Sequence, residues 1–157
     1  YGVFSQGASA ANKNTGTIIN QNLINTVSPN NVQIGGILVG YESGIQIRGN
    51  NIAEINTSTV TPAFGITLGL RSSNTYTSLT GNEVTGATVS NNIINGILRT
   101  GDGTAMGIAV SAVTSASSPA NTIANNMVAG VRSTAATPSD FTVGILIGGG
   151  AEGSTKI

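Results

Sequence analysis

The sequence predicts an all-β solenoid of about four to five stacked coils, each turning through a corner that carries Asn. The first observation behind this is a recurring unit, clearest as Thr88-Val89-Ser90-Asn91-Asn92-Ile93-Ile94-Asn95-Gly96-Ile97, with copies at 18–27 and 122–131. A looser copy at 46–55 reads as carrying one extra residue before its Asn pair. In all four, an Asn (Asn22, Asn51, Asn92, Asn126) stands directly before a bulky apolar residue (Leu23, Ile52, Ile93, Met127). The second observation is a Gly-led strand of alternating character that begins at Tyr1-Gly2-Val3, Gly35-Gly36-Ile37, Phe64-Gly65-Ile66, Met106-Gly107-Ile108 and Val143-Gly144-Ile145. The third is composition: 22 Gly and abundant Asn, Thr and Ser supply corners and strand edges, while Glu, Lys and Gln, the residues of helix surfaces, are scarce.

Spacing within each series varies. Successive Gly-led strands lie between 29 (65 − 36) and 42 (107 − 65) residues apart. Two strands and a corner therefore form a constant frame, and the connecting loops absorb the differences. Alternation in the Gly-led strand defines two columns. The predicted core column reads Tyr1, Val3 and Ser5, then Gly35, Ile37 and Val39, then Phe64, Ile66 and Leu68, then Met106, Ile108 and Val110, and last Val143, Ile145 and Ile147. The other column pairs the leading Gly residues with Phe4, Leu38, Thr67, Ala109 and Leu146, and makes a flat, nearly uncharged candidate contact face. Before the corner, Ile19, Ile47, Val89 and Ile123 point inward; after it, apolar residues at 23, 24 and 27 leave the inward face unassigned.

The corner has a physical reason. A sharp bend needs left-handed backbone, which Asn tolerates better than other residues with a side chain. Stacked coils would place Asn22, Asn51, Asn92 and Asn126 about 4.8 Å apart, so that each amide bonds the next. Loops entering the Gly-led strand hold Pro29, Pro62 and Pro138, with Gly101-Asp102-Gly103 in the remaining coil. Proline there ends a strand and presets a turn.

Composition also bounds function. The chain reads as one unit, 1–157, and as a segment of a longer repeat array, because it opens inside a strand pattern. A formal net charge of zero with 8% charged residues argues against nucleic acid or an anionic membrane as the main partner. Without Cys or His there is no disulfide, no zinc site of the usual kind and no Ser-His-Asp arrangement. No apolar run reaches the roughly 18–20 residues that span a bilayer.

Asn-Asn-Ile-x-Asn-Gly-Ile units alternating with Gly-Ile-x-Val-Gly strands resemble right-handed parallel β-helix repeats of the pectate-lyase-like kind, across essentially the whole chain. The resemblance implies three short parallel sheets around a dry core. It also implies a fold shared by polysaccharide lyases and hydrolases, phage tailspikes, adhesins and passenger stalks. Such enzymes use clustered carboxylates for calcium or acid–base work. Here Glu42, Glu54, Glu83, Asp102, Asp140 and Glu152 are dispersed, and no catalytic motif of those families maps onto the chain. The weak candidate metal pair is Asp102 with Asp140, in equivalent loops; the plain alternative is two solvated turn residues. Arg48, Arg71, Arg99 and Arg132 fall at strand ends, where lone charges more often protect edges than bind acidic sugars.

The expectation is a secreted or cell-surface structural segment, an adhesin or filament stalk acting by rigid extension, without cofactors. Its partners would be further coils of the same polypeptide, neighbouring copies or glycans, with no nucleic acid and no membrane span. The alternative is a piece of a carbohydrate-active enzyme, a polysaccharide lyase or glycoside hydrolase, whose catalytic coils lie elsewhere. An open edge at either end of the stack is expected to make the segment poorly soluble unless something covers it.

Overall fold

The computed structural model describes residues 1–25, 32–58, 62–69, 83–110, 119–134, 142–148 and 155–157. Within them the chain is all-β and its main sheets are parallel. One sheet joins β1 (Val3–Gln6), β5 (Gly35–Gly40), β9 (Ala63–Leu68), β12 (Ala105–Val110) and β16 (Thr142–Ile147) in that order. A second joins β3 (Ile18–Asn20), β7 (Gln46–Arg48), β10 (Thr88–Ser90), β13 (Asn121–Ala124) and β17 (Thr155–Lys156). A third joins β4 (Leu23–Ile24), β8 (Asn51–Thr57), β11 (Ile93–Arg99) and β14 (Met127–Ala129), with β15 (Arg132–Ser133) also on β11. A small ladder pairs β2 (Asn14–Thr15) with β6 (Glu42–Ser43). Read in chain order, the strands visit the three sheets in the same rotation in each repeat.

The core is a set of apolar columns, one residue per repeat. Ile37, Ile66 and Ile108 are in register, as are Val39, Leu68 and Val110. The second sheet contributes Ile19, Ile47, Val89 and Ile123, and the third Ile24, Ile52 and Ile94 with Val128 packed beside them. Branched Ile and Val suit this role because their shape fills a pleated surface and their rotamers are already restricted. Ile145, expected inside, is 37% exposed at the last repeat.

The strand after the corner resolves in an unforeseen way. Ile52, Ile94 and Val128 point inward, and so do Ile55, Ile97 and Val131 three positions later. A strand of strict period two cannot do this. Between the two inward sets stands one left-handed residue per repeat, Glu54 (φ 54°), Gly96 (φ 71°) and Gly130 (φ 61°), which bends the strand and resets its alternation.

The Gly-led strand also departs from simple alternation. Gly65 and Ile66 both face inward: a Cβ on Gly65 would lie 2.6 Å from Ile94 Cγ2 and 2.7 Å from the Gly107 carbonyl oxygen. Gly2, Gly36 and Gly107 make the same fit against Ile24, Ile52 and Val128. These glycines therefore line the core, not the flat outer column. Phe64 and Met106, expected in the core column, instead join Leu38 and Ala109 in a separate apolar cluster with Ile34 and Leu146. Phe64 leans over Gly35 to stack on Tyr1 at a 5.9 Å centroid distance.

Candidate functional site

The Asn corner forms, with one residue changed. Strands β3, β7, β10 and β13 align Ile18 with Gln46, Thr88 and Thr122, so the copy at 46–55 carries no extra residue. The file is Asn22, Asn50, Asn92 and Asn126; Asn51 is instead an exposed first residue of β8, opposite Leu23 and Ile93. Asn22 donates from its backbone N–H (3.0 Å) and Nδ2 (2.8 Å) to Asn50 Oδ1. Asn50 donates in the same two ways to Asn92 Oδ1, at 3.0 and 2.9 Å, and Asn92 to Asn126 Oδ1, at 3.0 and 2.9 Å. The second Nδ2 hydrogen goes to the carbonyl of Ile19, Ile47 or Val89, respectively from Asn50, Asn92 and Asn126. Every polar atom of the buried rungs Asn50 and Asn92 thus has a partner, which is what makes their burial tolerable.

The left-handed backbone that turns the corner belongs to the residue before each rung. Gln21 (φ 54°), Gly49 (φ 63°), Asn91 (φ 56°) and Asn125 (φ 55°) hold it. The ladder Asn and the bend Asn are separate roles. In the second repeat Gly49 takes the bend, which shifted the sequence reading of the rung by one residue.

The flat column expected to make contacts is closed in its middle. Leu38, Thr67 and Ala109 are fully buried, Leu146 is half-buried, and Phe4 alone of the five is exposed. Thr67 Oγ1 lies in this layer without a hydrogen-bond partner among the described residues. The exposed apolar row is elsewhere. Leu23, Ile93 and Met127 stand in register on the outer side of the β4–β8–β11–β14 sheet, with Asn51 between the first two.

Glu42, one of the dispersed carboxylates, and Arg99, expected to be an edge charge, are both interior. Glu42 is fully buried and accepts hydrogen bonds from Ser5 Oγ (2.5 Å), Asn14 Nδ2 (3.0 Å) and Thr17 Oγ1 (2.8 Å). Arg99, at the end of β11, is 3% exposed and donates to the carbonyl oxygens of Thr57, Thr100 and Asp102. Its Nε has no acceptor among the described residues. Arg99 thereby braces the loop 100–104, the one connection into a Gly-led strand that lacks proline. Arg48 and Arg132 are exposed. One ion pair, Lys13 Nζ to Glu83 Oε1 at 3.2 Å, is found among the described residues.

Of the candidate metal pair, Asp102 is an exposed loop residue whose carbonyl serves Arg99, and Asp140 lies outside the described residues. Among the described residues no three carboxylates gather in one place. No helix among them is long and apolar enough to cross a membrane. Comparison with protein-family models, with curated proteins and with solved structures finds no match.

Proposed function

We propose that the chain is a segment of a right-handed parallel β-helix of the pectate-lyase-like repeat kind, serving as a rigid stalk of an adhesin or filament in a secreted or cell-surface protein. The observation that supports this reading is the rotation of the strands through three parallel sheets in constant register, while the loops between them vary. Each interior strand is hydrogen-bonded along both edges, the Ile columns interlock, and the Asn file ties one corner of successive repeats. Such a stack resists bending because any bend must open apolar contacts and hydrogen bonds together. Partner or glycan contacts then fall to outward residues such as Leu23, Ile93 and Met127, not to the closed layer around Leu38.

The test has two arms. Antibody to this segment should label intact source cells or their culture medium, and small-angle scattering of the natural polypeptide should give a rod. Release of reducing ends from polygalacturonate or xylan by the polypeptide would overturn the stalk reading in favour of a carbohydrate-active enzyme.

A further inference from the structure

Polar residues are few in the core columns: Asn121 follows Ala87 in the column of Ile45, and in the first repeat the exceptions are all of one kind. Ser5 stands where later repeats place Val39, Leu68, Val110 and Ile147. Thr17 precedes Ile18 as Ile45 precedes Gln46 and Ala87 precedes Thr88 in the paired strands. Asn14 faces Glu42, and the next residue in that column is Val84, since Ser43 bridges Thr85. Three positions that are apolar in the third repeat are polar in the first. All three side chains converge on the one buried carboxylate of the second repeat.

We propose that Ser5, Asn14, Thr17 and Glu42 form a polar key that fixes the axial register of the first repeat on the second. The apolar columns cannot do this alone. Alternation by itself permits β1 to shift by two residues along β5. The close fit of Gly2 against Ile24 and the Asn22–Asn50 rung oppose that shift on one side of the repeat, and the Glu42 cluster opposes it on the other. The same slide carries Ser5 about 7 Å from its place opposite Val39. It therefore takes one of three hydrogen bonds from the Glu42 carboxylate, and a buried carboxylate that loses a partner is disfavoured. Because Ser5 lies on β1, Asn14 on β2 and Thr17 at the start of β3, one carboxylate sets three strands at once. A single buried polar group that selects one register among near-equivalent apolar packings is a known use of such groups.

The chain has no Cys, so engineered pairs can read the register directly. Phe4 lies opposite Leu38, and Gln6 would come opposite Leu38 only after a two-residue shift. In the otherwise natural chain, Phe4→Cys with Leu38→Cys should oxidise to a disulfide, and Gln6→Cys with Leu38→Cys should not. With Ser5→Val, Asn14→Val, Thr17→Ile and Glu42→Val together, which copy residues of later repeats, both pairs should form. Formation of the Phe4 pair alone in that background, or of both pairs in the natural chain, overturns the proposal. Should the fourfold variant not fold, Ser5→Ala and Thr17→Val singly provide a second reading. Each should raise amide hydrogen exchange at least tenfold in residues 1–20 and leave later repeats unchanged. A uniform rise, or none, overturns it equally.

Discussion

The Asn file and the Glu42 cluster are both buried polar arrangements, and they are satisfied in opposite ways. Along the file, each amide is partnered by another copy of itself one repeat away, through a pair of bonds of nearly constant length. Around Glu42, one carboxylate is partnered by three different side chains that occur in that combination once. The file is extensible: any repeat with Asn at the rung joins it. The cluster is not, because its members fit only each other. Repetition holds the stack together, while the single exception tells one repeat from the next.

The largest expected effect tests the interior of the file. Asn92→Ala removes the acceptor of both Asn50 donors and the Nδ2 donor to Asn126 Oδ1 and the Ile47 carbonyl, while the backbone N–H of residue 92 keeps its bond to Asn126 Oδ1. At about 1–3 kcal/mol per buried orphan, the loss should exceed about 3 kcal/mol. Asn22→Ala, on the exposed first rung, should cost about 1 kcal/mol, and Asn51→Ala should be silent. Urea midpoints for the three variants check the order. An Asn51 effect as large as that of Asn92 would contradict the assignment of Asn50 to the file.

Next comes the cluster. Glu42→Leu should cost about 2–3 kcal/mol, since Ser5, Asn14 and Thr17 lose a shared acceptor but sit near enough to solvent to recover in part. Glu42→Gln keeps an acceptor oxygen and should cost under about 1 kcal/mol. If the two variants unfold at the same denaturant concentration, the hydrogen bonds of this cluster contribute nothing measurable.

A third comparison sets one repeat against another at the same position. Gly65→Ala drives a methyl group into Ile94 and the Gly107 carbonyl, and overpacking of this kind costs about 1–3 kcal/mol. Gly144, its counterpart in the last repeat, has nothing among the described residues within 4 Å of the same methyl position. Gly144→Ala should fall within about 0.5 kcal/mol of the natural chain. Thermal melts of the pair separate a steric role from a conformational one, which would affect both sites alike. The smallest effect is a gain. Thr67→Val removes a buried hydroxyl that lacks a partner among the described residues and should stabilise by up to about 1 kcal/mol, seen as a raised urea midpoint with unchanged slope.

Much of the frame was legible because it repeats. The columns of Ile66, Leu68, Ile108 and Val110, the strand before the corner, and three of the four Asn rungs follow from alternation and self-similarity. The misreadings of the rung and of Phe64 share one cause. Wherever a left-handed or close-packed residue resets the alternation, counting by two fails. Gly49 in the bend made Asn51 look like the rung in place of Asn50, and Gly65 beside Ile94 put Phe64 on the wrong side of its sheet.

The sequence by itself determined what is periodic: strands rich in Ile and Val, corners marked by Asn, and an interior without ionic chemistry of the His or Cys kind. Only the tertiary structure decided which residues meet across repeats. Glu42 and Arg99 look like ordinary charges at strand ends in one dimension. Ser5, Asn14 and Thr17 lie 37, 28 and 25 residues from Glu42 along the chain. Loops of unequal length separate them, so no local pattern announces their meeting. Local periodicity reports which way a side chain points, but the partner it finds there depends on how many residues each loop consumes before the chain returns.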